Sequence, residues 1–151
     1  MNVILVIVAL LIFGYLLERV LASLNDRRWS DTVPKSLNGV YNNEEYRRAQ
    51  QYDKANKRLT CASDTLNLGL MLLLLVTGTF GKLDNWAVET AGSETKAMLL
   101  FFGVLLVVSE LISVPFALYK TFVIEEQFGF NKTSPSLFLT DRIKSYIIGI
   151  L

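Results

Sequence analysis

Long apolar runs alternate with polar segments along this chain, and three of the runs are long enough to be membrane helices. A transmembrane helix needs about 20 predominantly apolar residues, because the hydrocarbon core of a bilayer is about 30 Å thick. The second run carries Asp64 and Asn67 near its start, and the third carries one charge, Glu110. The pattern predicts complete transmembrane helices at about residues 3–24, 62–81 and 97–120.

The first run is followed directly by Glu18 and Arg19. Both side chains can reach the membrane interface while the helix continues to Leu24. A cleaved signal peptide is the alternative interpretation. It would require a cationic N-terminal region, which is missing, and it would place two charges between the apolar core and the cleavage site. A membrane anchor fits the pattern better.

A last apolar run, Ser145 to Leu151, follows Lys144. It is too short to cross a bilayer, and a terminal carboxylate inside hydrocarbon is costly. We therefore expect the start of a fourth transmembrane helix near residue 143, which continues in a longer protein.

Residues 25–60 form a polar segment, within which Asn43, Glu44 and Glu45 indicate a helix start. This helix is too polar to span a membrane, so we expect it in the cytosol or along the headgroups. Residues 18–60 hold nine Lys or Arg, whereas the short loop expected at residues 81–96 holds two. The positive-inside rule then predicts an outside N-terminus and a cytoplasmic first loop.

The composition agrees with an all-α integral membrane protein, with 52% hydrophobic and 19% charged residues. The net charge of +1 gives no indication of nucleic-acid binding, and the single Cys61 excludes an internal disulfide. The chain contains no histidine. Zinc hydrolase sites and Ser/His or Cys/His nucleophilic sites depend on imidazole, so none is expected within this chain alone.

The third run contains two features that a simple membrane helix does not need. Pro115 is expected to kink its last third. Glu110 is a possible intramembrane polar site, because an ionisable residue in a membrane helix is a functional candidate. It could face a watery chamber, or it could be a protonated carboxyl group bonded within the bundle near Ser109 and Ser113.

A charged segment with Gly and Asn follows the third run, and its spacing predicts a helix–turn–helix. Gly129 suits a left-handed helix stop, and Ser134 followed by Pro135 suits a new helix start. Asp141 and Lys144 are spaced for a favourable i,i+3 ion pair. Without further information, an interfacial helix–turn–helix with solvated charges would explain the pattern.

The same segment resembles the CAAX prenyl protease family, which consists of membrane-integral zinc metalloproteases. The upstream Pro115 and Tyr119 and several residues of the first loop are similar to the family as well. The residues that match the family pattern, called the signature residues below, are Phe122, Ile124, Glu125, Glu126, Gly129, Phe130, Asn131, Thr133, Phe138, Asp141 and Lys144.

The resemblance implies a ring of membrane helices around a large chamber, with zinc held by a His-Glu-x-x-His helix and a later glutamate. That motif is absent here, so residues 1–151 would be the N-terminal membrane domain of a longer protease. No catalytic or metal-binding residue is expected in this segment, and zinc is expected only in the longer protein. The signature residues would support the chamber, with Glu125 and Glu126 either lining it or forming a structural pair at the interface.

The implied function is cleavage near the C-terminus of prenylated or other membrane-associated peptides. The partners are the lipid bilayer, the catalytic half of the same protein and the peptide substrate. The membrane would be a bacterial inner membrane or the endoplasmic reticulum, with the signature segment on the cytoplasmic side. The alternative is a non-catalytic membrane scaffold or partner subunit that uses the same module.

Overall fold

The computed structural model describes residues 3–26 and 42–150, which are almost entirely helical and contain no strand. Three of the helices are long and apolar enough to cross a membrane, so the predicted all-α membrane fold is confirmed. The helices are α1 (Val3–Asp26), α2 (Asn43–Val76), α3 (Thr79–Ala91), α4 (Glu94–Tyr119), a π-helical segment (Lys120–Glu125) and α5 (Pro135–Ile150).

Helix α2 is continuous over 34 residues, and this corrects the expectation of a separate polar helix followed by a second span. Its length is about 51 Å at 1.5 Å per residue, so the polar half extends well beyond the hydrocarbon core. Asn42 caps the N-terminus of α2. Its side-chain Oδ1 accepts a hydrogen bond from the backbone N–H of Glu45 at 2.7 Å, and the Glu45 carboxylate accepts one from the backbone N–H of Asn42 at 3.1 Å. This capping box fixes the start of the helix.

The segment after the second span is a helix, α3, where the sequence suggested a short loop. Gly78 (φ 65°) and Gly92 (φ 66°) adopt left-handed backbone conformations at its two ends. Glycine takes this conformation at little cost, so each residue ends one helix and lets the chain turn. Helix α2 therefore ends at Val76, earlier than predicted. Trp86 lies on α3 and is 46% exposed.

Helices α1 and α2 run antiparallel, as two polar contacts show. Arg19 pairs with Asp64, and Asp26 pairs with Lys57. In α1, Asp26 comes seven residues after Arg19 (26 − 19). In α2, the partner of Asp26, Lys57, comes seven residues before the partner of Arg19, Asp64 (64 − 57). The C-terminal end of α1 therefore lies beside the polar half of α2.

Pro115 lies inside α4, and a π-helical segment follows it at Lys120–Glu125. Proline removes one amide donor from the helix, and the wider π turn changes the direction in which later side chains point. Within this segment Ile124 is buried at 3% exposure, whereas Val123 is 44% exposed.

The buried hydrophobic residues are few, and they belong to α2, α3, α4 and the segment that follows α4. Among the described residues they are Tyr46, Ala87, Ala97, Ile124 and Phe128. Tyr46 belongs to the polar half of α2, and Ile124 and Phe128 belong to the segment after α4. In contrast, large apolar side chains along α1 and α4 are widely exposed, as expected for surfaces in contact with lipid or with further membrane helices.

Candidate functional site

The turn that follows the π-helical segment is built by its own backbone. The carbonyl of Glu125 accepts the N–H groups of Phe130 (2.8 Å) and Asn131 (3.2 Å), and the carbonyl of Glu126 accepts the N–H of Gly129 (3.0 Å). Gly129 has φ 73°, so its predicted left-handed conformation is confirmed. The helix-end carbonyls are thus satisfied, and the chain reverses toward α5.

Asn131 joins the two sides of this turn. Its side-chain N–H donates to the Glu126 carboxylate at 2.8 Å, and its Oδ1 accepts the N–H of Thr133 at 2.7 Å. Helix α5 then begins at Pro135, and the Ser134 hydroxyl accepts the N–H of Leu137 at 3.2 Å. The predicted hydroxyl cap is confirmed, and Glu126 is engaged in a structural hydrogen bond.

The polar half of α2 holds the turn in place through two side chains one helical turn apart. Arg48 Nη2 donates to the carbonyl of Phe128 at 2.6 Å. The ring of Tyr52 meets the rings of Phe128 and Phe130 edge-on, with centroids 5.4 and 4.9 Å apart. Sequence reasoning missed Arg48, because nothing in its local pattern distinguishes it from the other cations of the first loop.

Glu110 lies in a second cluster, which links α4 to α5. Arg142 reaches the Glu110 carboxylate through both Nε and Nη2, and its Nη2 also donates to the Ser113 hydroxyl at 3.0 Å. The Tyr146 hydroxyl lies 3.4 Å from Arg142 Nε. The side chains of Arg142 and Glu110 are 23% and 27% exposed. We refer to these four residues as the Glu110 cluster.

Arg142 was not identified from the sequence, although a signal was available. It is a cation at the start of an apolar run, and Glu110 is the acid in a neighbouring membrane helix. Intramembrane charges usually pair with one another. The carboxylate of Glu110 is therefore ion-paired in the structure, which disfavours the protonated alternative.

The remaining signature residues lie around α5. The rings of Phe122 and Phe138 meet edge-on at 5.8 Å, and Arg142 lies over the Phe138 ring at 5.6 Å. Glu125 and Asp141 line an open cleft of about 320 Å³ between the π-helical segment and α5.

The predicted ion pair between Asp141 and Lys144 is wrong. Both side chains are exposed, and no ion pair joins them among residues 3–26 and 42–150. An exposed i,i+3 pair gains little energy and costs side-chain entropy. The cation of α5 that does form an ion pair is Arg142, one residue from Asp141.

Polar contacts also join α1 to α2. Arg19 Nη2 donates to Asp64 at 2.6 Å, and the hydroxyls of Tyr15 and Thr65 lie 2.7 Å apart. The sequence suggested that Arg19 reaches the interface alone, but it has a carboxylate partner on the next helix. Such contacts fix which helix faces meet, because apolar faces in lipid have little preference for one another.

Lys57, on the polar half of α2 outside the apolar segment, contacts Asp26 and Asp53, each at 2.5 Å. Hydrogen bonds to Asp26, which contribute most, and to Asp53 raise the pKa of Lys57, although partial desolvation lowers it. Its contribution to stability is therefore complete below the usual pKa of 10.5 and is lost only as the pH rises through the raised pKa. Lys57 is therefore charged at every physiological pH.

The residues present do not fit a zinc site. In the described parts of the chain no three His, Cys, Asp or Glu side chains converge as metal ligands, and the sequence has no histidine. Structural and catalytic zinc sites take three or four such ligands.

Comparison with known proteins identifies the family to which this arrangement belongs. A family model described as the CAAX prenyl protease N-terminal region with five membrane helices matches residues 24–151. A CAAX prenyl protease 1 homolog of Oryza sativa is 35% identical over 127 residues, which cover 80% of this chain and 30% of the relative. CAAX prenyl protease 1 of Saccharomyces cerevisiae is 30% identical over 131 residues, covering 78% and 29%.

A crystal structure of S. mikatae Ste24p has the same fold. The TM-score is 0.86 at 31% sequence identity, and the match covers 99% of this chain and 37% of that chain. This chain therefore spans roughly a third of the length of the proteins that it matches. The helices, the signature residues and these similarities together show that the chain belongs to the CAAX prenyl protease family and is an N-terminal membrane region of that family.

Proposed function

We propose that this chain is the N-terminal membrane part of a zinc endopeptidase that cleaves near the C-terminus of prenylated or other membrane-associated peptides. The family membership and the fold shared with Ste24p support this proposal. The zinc ligands and the catalytic glutamate would come from residues outside this chain, because the described residues offer no metal-binding set.

The role of this segment is to set the position of α5, and through it the rest of the protease. The observation that carries this role is the Glu110 cluster. In the part of the chain that the structure describes, no Cα atom of α5 lies within 8 Å of a Cα atom of α4. The long Arg142 side chain bridges this gap, and the Phe122–Phe138 ring contact joins α5 to the π-helical segment.

The two signature glutamates have different roles in this proposal. Glu126 stabilises the turn through Asn131. Glu125 faces the open cleft beside α5, so it would be the chamber-facing carboxylate. In this proposal both residues act structurally, as the family resemblance implies.

The proposed orientation places the N-terminus outside and the signature segment in the cytoplasm, on the basis of the charge asymmetry between the loops. Single cysteines at Asn43 and Asn85, in a Cys61→Ser background, test it in intact cells. An impermeant outside reagent is expected to label position 85 and not position 43. The opposite pattern would reverse the topology.

The main test compares the full-length protein with the isolated segment 1–151. Zinc content and cleavage of a synthetic prenylated peptide are measured per folded molecule in detergent. We expect about one zinc and peptide cleavage for the full-length protein, and neither for the isolated segment. If the folded full-length protein bound no zinc and cut no peptide, the protease proposal would fail and the scaffold alternative would replace it.

A further inference from the structure

A cleft of about 730 Å³ lies between the polar half of α2 and the end of α4, away from the Glu110 cluster. Lys54 and Arg58 lie on one side of it, and Tyr119, Val123 and Ala62 line its apolar part. No acidic side chain lines the cleft. It therefore combines two cations with an apolar surface.

Lys54 and Arg58 are exposed and one helical turn apart, so they repel each other. In the described ranges neither has a carboxylate within 4.0 Å. Lys57, on the neighbouring face, engages both Asp26 and Asp53. Asp26 and Asp53 thus pair with Lys57, and within residues 3–26 and 42–150 the two cations of the cleft have no carboxylate partner.

The position of the cleft relative to the membrane follows from both of its walls. Helix α2 changes from polar to apolar between Arg58 and Leu66, and α4 changes from apolar to polar between Tyr119 and Lys120. A tyrosine at this boundary is typical of the headgroup region. The cations therefore lie at headgroup level, while the apolar wall continues toward the hydrocarbon core.

We propose that this cleft binds an anionic phospholipid. Its phosphate contacts Lys54 and Arg58, and the upper part of an acyl chain lies against Tyr119, Val123 and Ala62. Tyr119 and Val123 are 51% and 44% exposed, so this wall has room for a chain. The cytoplasmic leaflet carries the anionic lipids of a cell membrane, and the orientation proposed above places the cleft there. The inference does not depend on peptidase activity.

The test uses the full-length protein, purified in neutral detergent and titrated with short-chain phosphatidylserine. Bound lipid is counted by native mass spectrometry. For Lys54→Gln/Arg58→Gln we expect the affinity of the first lipid to fall on the order of tenfold or more, because each cation near the surface contributes to anionic lipid binding. Phosphatidylcholine binding should change little.

Matched variants distinguish lipid binding by the cations of this cleft from attraction of the lipid by the overall positive charge of the protein. Lys82→Gln/Lys96→Gln removes two exposed cations beyond the other end of the spans and should leave the affinity unchanged. Lys54→Arg/Arg58→Lys keeps the charges and should retain binding. Ala62→Trp fills the apolar part without changing the charge and should weaken lipid binding several-fold.

Three outcomes would overturn the proposal. Equal loss of lipid in both double Gln variants would indicate general electrostatics. If millimolar glycerol 3-phosphate displaced the lipid and Ala62→Trp had no effect on lipid binding, the cleft would be a site for a soluble phosphate compound. Unchanged phosphatidylserine affinity in Lys54→Gln/Arg58→Gln would show that the cleft binds no lipid, for example because the remainder of the full-length protein fills it.

Discussion

Helix α4 and the signature segment that follows it differ in how much of their apolar surface the protein covers. On α4, Leu99, Phe102 and Leu111 are 70%, 65% and 68% exposed, whereas Ile124 and Phe128 are 3% and 7% exposed. In lipid there is little hydrophobic force between helices. Outside it, apolar side chains must be buried by protein.

The comparison shows where structural specificity resides. The apolar middle parts of the helices can be accommodated by the lipid bilayer with almost any sequence of large aliphatic residues. The relative positions of the helices depend on a few polar and aromatic contacts, namely the Glu110 cluster, the Arg19–Asp64 pair, and the contacts of Arg48 and Tyr52 with the turn. Three substitutions in or beside these contacts test whether they hold the helices in position.

Arg142→Leu should have the largest effect. It leaves the Glu110 carboxylate without its partner among apolar helices, and we expect a loss of about 2–3 kcal/mol in unfolding free energy. The value is below that of a fully buried pair, because both side chains are partly exposed. Thermal unfolding of the full-length protein in detergent, together with peptide cleavage, measures it.

The control for that prediction is Glu110→Leu/Arg142→Leu, which leaves no charge behind. We expect it to recover much of the lost stability, because an unpaired charge costs more than the absence of the pair. A double variant as unstable as the sum of the single variants would mean that the two residues act independently.

Gly129→Ala should have an intermediate effect, about 1–2 kcal/mol of destabilisation. At φ 73° an L side chain is strained, and the added Cβ would lie 3.4 Å from Arg48 Nη2. Gly69→Ala is the matched control, because Gly69 is inside α2 and its added Cβ meets nothing within 4 Å. Alanine is expected to stabilise that helix by about 0.5–1 kcal/mol.

The melting temperatures of the two glycine variants, measured under the same conditions, should move in opposite directions. Equal shifts of both would contradict the view that the turn at Gly129 requires a left-handed residue.

Asp141→Ala should have the smallest effect on stability, at most about 0.5 kcal/mol, because Asp141 is exposed and makes no ion pair within the described residues. A double-mutant cycle with Lys144→Ala is expected to give a coupling energy near zero. A clear coupling would restore the i,i+3 pair that the sequence suggested. Loss of cleavage with normal stability would instead assign Asp141 a role in the cleft that it lines.

Several structural features could be predicted from local sequence because their causes are local. Membrane helices follow from runs of apolar residues, and Gly129 and Ser134 follow from helix-end chemistry. The helix at Thr79–Ala91 was missed because two glycines, Gly78 and Gly92, both act as helix ends there, which composition alone does not reveal. The continuity of α2 was missed because a change from polar to apolar residues does not require a break in the backbone.

The membrane character of the chain, the number of long apolar helices and the family can be predicted without knowing any contact, because they follow from the length of apolar runs and from a specific local motif. The folded structure is needed to see that Glu110 pairs with Arg142, that Arg19 pairs with Asp64 and that Arg48 holds the turn through the carbonyl of Phe128. These partners lie 32 to 80 residues apart in the sequence. Their pairing depends on how the helices cross, and the π turn after Pro115 shifts that register in a way that no regular period predicts.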